Sequence, residues 1–199
     1  MPQLQTKSQI ILASQSPRRV ALLKQMGIAC LVMPADIDEM VLSGESPSNY
    51  VLRLAEQKAL AIVTKLAGEY TNLPVLAADT TVALGNEIFG KPDNDIDAFT
   101  MLKKLSGCTH QVHTAIALAF NGKCETALNT TLVTMMPLSD AMISAYIATN
   151  EQCDKAGSYA IQGLAGNWVV RIEGSYTGVM GLPVYETAML LDKILGRLI

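Results

Sequence analysis

The chain has 199 residues, of which 50% are hydrophobic and 17% are charged, and its formal net charge is −3. Such a chain is too apolar to be disordered and long enough for one large hydrophobic core. The negative charge balance gives no general case for nucleic-acid binding, so any anion must be held by local positive charge. No apolar stretch reaches about 18 residues, which excludes a membrane-spanning helix.

The four cysteines, Cys30, Cys108, Cys124 and Cys153, are scattered and form no Cys-x-x-Cys pair. This usage is typical of free thiols in a reducing compartment. The first apolar run, 10–13, has no positively charged segment ahead of it, so no secretory signal peptide is predicted. We therefore expect a cytoplasmic protein.

The N-terminal region predicts a strand, a turn and a helix. Residues 10–13 read as a buried strand, and Pro17 suits the first position of a helix that Ser16 would cap and Gly27 would end.

The turn between this strand and helix is a candidate anion site. Free backbone amides and the helix dipole favour negative charge at such a position. Ser14 and Ser16 add hydroxyls, and Arg18 and Arg19 add forked donors that suit phosphate oxygens. The sequence therefore predicts a polyphosphate-binding turn.

A second strand is predicted over 28–33, followed by a polar loop over 34–47. Asp36, Asp38 and Glu39 in this loop are candidate Mg²⁺ ligands, since magnesium takes one or two carboxylates and completes its shell with water and phosphate oxygens. Without the neighbouring phosphate-binding turn, a solvated acidic loop would be the preferred interpretation.

A long helix is predicted from Pro47 to about residue 67, with an inward stripe of Val51, Leu54, Ala55, Ala61 and Ile62. Lys58 falls on the same stripe. Two interpretations are open: a stem that runs along apolar surface and brings the ammonium to solvent, or an ammonium that points into a site.

Residues 75–84 predict a central strand, with Asp79 in its middle, where aspartate has poor β-propensity. Alternation places Asp79 on a small, polar face with Ala77, Thr81 and Ala83. Because a partly buried carboxylate is costly without a partner, a functional role is favoured over an aspartate satisfied by backbone amides at a strand end.

The rest of the chain continues an α/β pattern. Further predicted elements are a helix over 95–105, a hairpin of strands 109–120 and 125–136 around Asn121-Gly122, a helix from Ser139 to about 146, an irregular segment over 153–166, a strand over 167–172, and a helix from Pro183 with an apolar stripe of Leu190, Leu191, Ile194, Leu195 and Leu198. One α/β domain over 1–199 is predicted.

Three further residues have weaker patterns. Lys91 lies on the turn 90–92 just beyond the Asp79 strand and is a candidate cation. His110 and His113 are three residues apart on a strand, so they should point to opposite faces and are poorly placed to share a metal.

Hydroxyls and cations that bind phosphate, together with a base and an acidic loop, indicate hydrolysis of a phosphoryl bond. Periodicity alone does not name the substrate.

The motifs resemble those of the Maf family of nucleoside triphosphate pyrophosphatases. The stretch Ser-Gln-Ser-Pro-Arg-Arg at 14–19 is similar to the family's N-terminal signature, and further matches follow in order at 36–39, 53–58, 78–80, 90–92, 105–107, 154–157, 161–163, 171–176 and 181–183. The resemblance implies an α/β fold similar to inosine triphosphatase: an elongated mixed sheet flanked by helices, in two lobes with the nucleotide in a central cleft.

The resemblance also implies an activity, which is cleavage between the α- and β-phosphates with a divalent cation, Mg²⁺ or Mn²⁺. Asp79 would be the proton acceptor that activates water, and Glu39 and Asp79 would hold the metal. The phosphate path would be lined by Ser14, Ser16, Arg18, Arg19, Lys58 and Lys91. A homodimer is implied as well. No nucleic-acid or membrane partner is expected, from the charge balance and the absence of a long apolar stretch.

Within the family, Arg18, Thr80 and Gln162 agree with the specificity positions of the dTTP/UTP branch, whereas the 7-methyl-GTP branch tends to carry Trp, Gln and Glu. A 7-methyl-GTP pyrophosphatase and a nucleotide-binding regulator of septum formation without turnover are the alternatives. Strict alternation sends Asp79 and Thr80 to opposite faces. A strand end or bulge at Asp79 would bring both to one ligand, and a regular strand through Val82 would weaken the Thr80 assignment.

Overall fold

Seven strands form one mixed sheet in the computed structural model, which describes residues 9–195 except for the side chains of Glu69 and Leu195. The strands are β1 Ile10–Leu12, β2 Cys30–Val32, β3 Val75–Leu84, β4 Glu87–Phe89, β5 Thr109–Phe120, β6 Lys123–Met135 and β7 Val169–Glu173. Their order is β2-β1-β3-β5-β6-β7, with β4 paired to β3. β1 runs parallel to β2 and β3, and the remaining pairs are antiparallel. The predicted mixed α/β sheet is confirmed.

Within residues 9–195, six α-helices flank the sheet: α1 Pro17–Gln25, α2 Pro47–Val63, α3 Asp95–Leu105, α4 Asp140–Ile147, α5 Tyr176–Val179 and α6 Val184–Leu195. Side-chain caps define several of their starts, with Ser46, Asn94 and Ser139 each accepting a hydrogen bond from an amide in the first turn. Within the described residues, none of these helices combines the length and apolarity needed to cross a membrane.

Most predicted elements are present, and the differences have local causes. The long helix ends at Val63 rather than near residue 67, and a 3₁₀ turn, Gly68–Asn72, follows it. Ala59 is buried where Ala61 was predicted to be, because Ala59 lies one helical turn from both Ala55 and Ile62. The short β4 and α5 were not predicted. In α6, Leu190 and Leu191 are buried as expected, whereas the Leu195 side chain and Leu198 lie outside the described residues.

The core is divided along the length of the sheet, which gives the two predicted lobes. In the first lobe, α2 packs on one face of the sheet and α1 and α6 pack on the other. In the second lobe, α3, α4 and the chain from Tyr159 to Val169 pack around the far ends of β3, β5 and β6. The long central strands therefore run through both lobes and hold them together.

One edge of β3 is left open between the lobes. β1 pairs with β3 only as far as Leu76, and β4 begins to pair at Val82. On its other edge β3 pairs with β5 without interruption from Val75 to Ala83, so the strand has no bulge. Side chains on both faces of β3 can therefore reach the same space around the open edge, at residues 77–81.

Candidate active site

A cavity of about 890 Å³ lies at this open edge, between the lobes. Its size is in the range of small-molecule sites. Its walls come from the turn after β1, the loop after β2, the edge of β3, the turn after β4, and segments 154–162 and 179–181. All the predicted site residues line it: Ser14, Ser16, Arg18, Arg19, Glu39, Lys58, Asp79, Thr80, Lys91 and Gln162.

The turn after β1 has the predicted strand–turn–helix form, with one difference. Ser16 is the N-cap residue of α1, but its side chain makes no capping hydrogen bond. Instead, Ser14 Oγ accepts a hydrogen bond from the Ser16 amide at 3.2 Å. The Ser16 hydroxyl therefore lines the cavity without being committed to the helix end.

The two arginines of this turn have different surroundings. Arg19 donates from all three nitrogens, to the Gly181 carbonyl at 2.7 Å, to Ser14 Oγ at 2.9 Å and to Thr80 Oγ1 at 3.3 Å. Burial lowers the pKa of its guanidinium, with the Asp79 charge acting in the opposite direction. Arg19 thus ties the turn to β3 and to the segment before α6.

Arg18 is held more loosely. Its Nε donates to the Met180 carbonyl at 3.3 Å, and this is the one hydrogen bond that its side chain makes within the described part of the chain. Burial lowers the pKa of the Arg18 guanidinium, and the Asp154 charge raises it. The terminal nitrogens of Arg18 are therefore better placed than those of Arg19 to bind a ligand.

Lys58 points from α2 into the cavity. Its Nζ lies 2.6 Å from Asp79 Oδ1 and 2.8 Å from Glu39 Oε1, and the residue is only 9% exposed. The Lys58 ammonium therefore points into the cavity rather than out to solvent, and its role in a functional site stays a prediction. One cation joins the carboxylates of two separate segments.

Asp79 is buried at the floor of the cavity, with 6% of its surface exposed. Burial raises the pKa of this carboxyl, while the Lys58 ammonium and the Arg19 guanidinium act to lower it. A raised pKa makes the carboxylate a stronger proton acceptor than an ordinary surface aspartate, which is the property that a general base requires.

Only one acid of the predicted acidic loop reaches the cavity. Glu39 lines it, whereas Asp38 turns back to accept the Met40 amide at 2.9 Å and Asp36 does not line it. The Tyr50 hydroxyl donates to the Glu39 carbonyl at 3.0 Å and so fixes this part of the loop to α2. Burial raises the pKa of Tyr50 to about 12, which keeps its hydroxyl a donor.

Arg53 is a second anchor of the same loop. It pairs with Glu45 at 2.6 Å and donates to the Met40 carbonyl at 3.0 Å. Neither Tyr50 nor Arg53 was predicted to support the site. Their spacing of three residues on one side of α2 is the signal that could have suggested it.

The carboxylates of Glu39 and Asp79 fit a divalent cation. Both carboxylates contact the same ammonium, so they converge on one position where positive charge is stabilised. Oxygen ligands of this kind suit Mg²⁺ or Mn²⁺, with water and phosphate oxygens completing the shell. Among residues 9–195 there is no cluster of three or more His, Cys, Asp or Glu side chains that could hold a metal ion.

Thr80 and Asp79 lie on opposite faces of a regular strand, and this regularity weakens the Thr80 assignment. The Thr80 hydroxyl lies 2.9 Å from that of Thr114 and accepts a hydrogen bond from Arg19. Both residues nevertheless line the cavity, because the open edge of β3 exposes both faces to it. The role of Thr80 in specificity stays a prediction.

The irregular segment predicted over 153–166 forms one wall of the cavity. Asp154, Gly157 and Ser158 have positive φ angles, and the Gly157 amide donates to the Gly90 carbonyl at 3.0 Å. A Cβ at Gly157 would lie 2.8 Å from Val82 Cγ2, so only glycine allows this close approach.

Lys155 in this segment also lines the cavity and was not predicted as a site residue. Burial lowers the pKa of its ammonium, and the nearby charge of Arg18 lowers it further. Lys155 therefore adds positive charge on the side of the cavity where Arg18 lies.

Each of the two histidines makes a hydrogen bond within the fold. His110 Nε2 lies 2.8 Å from the Tyr159 hydroxyl, and His113 Nδ1 lies 3.0 Å from Thr130 Oγ1. The two side chains are on opposite faces of β5, so they cannot share a metal.

Comparison with known proteins gives consistent matches over almost the whole chain. Residues 9–194 match the Maf family, described as Maf-like protein. A dTTP/UTP pyrophosphatase of Methylobacillus flagellatus is 53% identical over 92% of this chain and 92% of its own length. A dTTP/UTP pyrophosphatase of Pseudoalteromonas atlantica is 48% identical over 93% and 96%, respectively. A nucleoside triphosphate pyrophosphatase of Haemophilus ducreyi is 44% identical over 93% and 94%.

Proposed function

The chain belongs to the Maf family, and on this basis we propose that it is a nucleoside triphosphate pyrophosphatase that hydrolyses dTTP and UTP. The products are the nucleoside monophosphate and pyrophosphate, so the bond cleaved is the one between the α- and β-phosphates. The observation that carries the proposal is that Asp79, Lys58 and Glu39 line the same cavity as the turn after β1, which bears Arg18 and Arg19.

In the proposed mechanism, Asp79 accepts a proton from the attacking water. Its burial supports this role, because a raised pKa strengthens the base. Lys58 at 2.6 Å orients the carboxylate and keeps it ionised. As the water oxygen bonds to phosphorus, the bridging oxygen leaves with pyrophosphate.

The phosphate chain is proposed to lie along the cationic wall of the cavity. Ser14, Ser16 and the amides of the turn after β1 would bind phosphate oxygens, with Arg18 and Lys91 neutralising their charge. Arg19, which is bonded within the protein through three nitrogens, would act mainly by holding Ser14 in place.

A divalent cation, Mg²⁺ or Mn²⁺, is proposed to be held by Glu39 and Asp79. When bound, such a cation neutralises charge that develops on the phosphate oxygens. Tyr50 and Arg53 would keep Glu39 in position, since they fasten its loop to α2.

Recognition of the nucleobase is proposed to involve Arg18, Thr80 and Gln162. All three line the cavity. Arg18 and Gln162 are the better supported, because the Thr80 hydroxyl already interacts with Arg19 and Thr114. We also propose a homodimeric, cytoplasmic enzyme, with light scattering after gel filtration as the measurement of its mass.

The experiment that tests this function is a nucleotide panel. Purified protein with Mg²⁺ or Mn²⁺ is supplied with dTTP, UTP, CTP, dGTP and 7-methyl-GTP, and release of pyrophosphate is measured. We expect the highest kcat/KM for dTTP and UTP. A preference for 7-methyl-GTP would identify the other branch of the family, and binding without pyrophosphate release would identify a regulator without turnover.

A further inference from the structure

A tight turn in the second lobe carries Gln162 to the cavity. Ala160, Ile161 and Gln162 line the cavity, and the Gly163 amide closes the turn by donating to the Ala160 carbonyl at 3.0 Å. The Gln162 side chain is exposed and makes no hydrogen bond with the part of the chain that the structure describes. Its direction therefore depends on the backbone that carries it.

Two side chains from outside the turn hold its two ends. The Tyr146 hydroxyl accepts a hydrogen bond from the Ala160 amide at 3.3 Å, and Glu151 Oε2 accepts one from the Leu164 amide at 3.1 Å. Tyr146 belongs to α4, and Glu151 follows shortly after that helix. The two contacts lie on either side of Gln162 in the chain.

Tyr146 is itself held firmly, and the Glu151 carboxylate lies closely against the turn. Tyr146 is 3% exposed, and its ring packs edge-on against Trp168 with 4.8 Å between the ring centroids. Burial, and then the Glu151 charge, raise the pKa of Tyr146, so its hydroxyl stays neutral. A Cβ at Gly163 would lie 2.0 Å from Glu151 Oε1, so the glycine is what allows the carboxylate to lie against the turn.

From these contacts we propose that Tyr146 and Glu151 are positioning residues for nucleotide selection, which hold the turn 160–164 so that Gln162 meets the nucleobase. Neither side chain lines the cavity, so both act through the turn. The inference rests on the proposed function, because it takes Gln162 to contact the base.

Three variants and one control test the proposal. Tyr146→Phe removes the hydroxyl and keeps the ring against Trp168. Glu151→Ala removes the acceptor for the Leu164 amide, and Glu151→Gln retains an acceptor oxygen. The control is Thr187→Val, which removes a buried hydroxyl whose hydrogen bond, 2.8 Å to the Pro183 carbonyl, lies at α6.

The measured quantity is the ratio of kcat/KM between the nucleotide that the wild-type enzyme prefers and one that it disfavours. A lost hydrogen bond is worth about 1 kcal/mol, so we expect the ratio to fall about three- to tenfold in Tyr146→Phe and Glu151→Ala. The change should appear in KM with kcat nearly constant, because Asp79 and the phosphate-binding turn are on other segments. Glu151→Gln should keep most of the ratio, and Thr187→Val all of it.

Amide hydrogen exchange gives a second measurement that does not depend on activity. The Ala160 amide should exchange faster in Tyr146→Phe, and the Leu164 amide faster in Glu151→Ala. Unchanged exchange in the turn would overturn the proposal, even for an enzyme that hydrolyses no nucleotide tested.

Two kinetic results would also overturn it: a wild-type ratio in both Tyr146→Phe and Glu151→Ala, or a uniform loss of kcat for every nucleotide. A wild-type enzyme that prefers a purine nucleotide would instead contradict the proposed substrate. The ratio would then be measured for that nucleotide, so the two failures are distinguishable.

Discussion

Replacing Asp79 by asparagine separates the chemistry of this site from its architecture. Asparagine has nearly the shape of aspartate and can occupy the same place in β3, but its amide cannot accept a proton from water. Lys58 keeps one carboxylate partner in the variant, because Glu39 lies 2.8 Å from its Nζ. Asp79→Asn should therefore leave the cavity assembled and remove the base.

The expected loss in kcat is about 10²- to 10⁴-fold, which is the usual contribution of a positioned general base to the rate. This corresponds to about 3–5 kcal/mol in the activation free energy. Stability should behave differently. Burial raises the pKa of Asp79, so ionising it weakens the folded state as pH rises above the pKa of an unfolded aspartate. The variant has no ionisation at this position, so its free energy of unfolding should fall less as pH rises from about 4 to neutral than that of the wild type.

The assay is pyrophosphate release from dTTP, with urea unfolding of the same samples and a titration of Mg²⁺ up to saturation. The matched control is Asp140→Asn, the same substitution at an exposed aspartate of α4 that pairs with Lys103. Retention of most of the wild-type rate in Asp79→Asn would refute the role of base. A rate restored by high Mg²⁺ would show that Asp79 serves the metal alone.

Three further outcomes are expected. Arg18→Trp should change the order of preference among nucleotides as well as their affinity, since the terminal nitrogens of Arg18 make no hydrogen bond within the described part of the chain. A uniform loss in kcat/KM for all nucleotides would contradict its role in base selection. Lys58→Met removes the cation between Glu39 and Asp79, so Mn²⁺ should bind the nucleotide-free variant more tightly than the wild type. Electron paramagnetic resonance measures the two affinities, and equal values would argue against these carboxylates as metal ligands. Burial lowers the pKa of His110 from 6.5 to about 4, so the folded state favours its neutral form. As pH falls from about 7 to about 5, the free energy of unfolding should therefore decrease by about 2 kcal/mol. Urea unfolding of His110→Gln at both pH values checks this, and an equally steep pH dependence in the variant would rule it out.

The elements that sequence patterns predicted best are those specified by neighbouring residues. β3 and α3 have the predicted bounds, and the hairpin turns at Asn121-Gly122, where both φ angles are positive. Short elements such as β4 were missed because three residues do not establish a period. The end of α2 was misplaced because the helix stops at Val63, whereas the first glycine after it is Gly68.

The candidate site also has residues that local sequence patterns predicted and residues that only the fold selects. The cationic turn at 14–19 and the unusual Asp79 are visible in the chain itself, because a serine-rich helix start and a carboxylate within an apolar strand are local patterns. The loop with three acids was visible too, but only the fold selects Glu39 from them, through Tyr50 on α2.

The sequence by itself therefore determined the residue types of the candidate site and most of the strands and helices that bear them. The tertiary structure alone decided that Lys58 turns inward to join Glu39 and Asp79, and that Arg19 is tied within the protein while Arg18 is left to the cavity. It also decided that Asp79 and Thr80 share one cavity, since this depends on where β1 stops and β4 starts along β3. The physical reason is that burial and charge pairing arise between segments far apart in the chain, where no local period can indicate them.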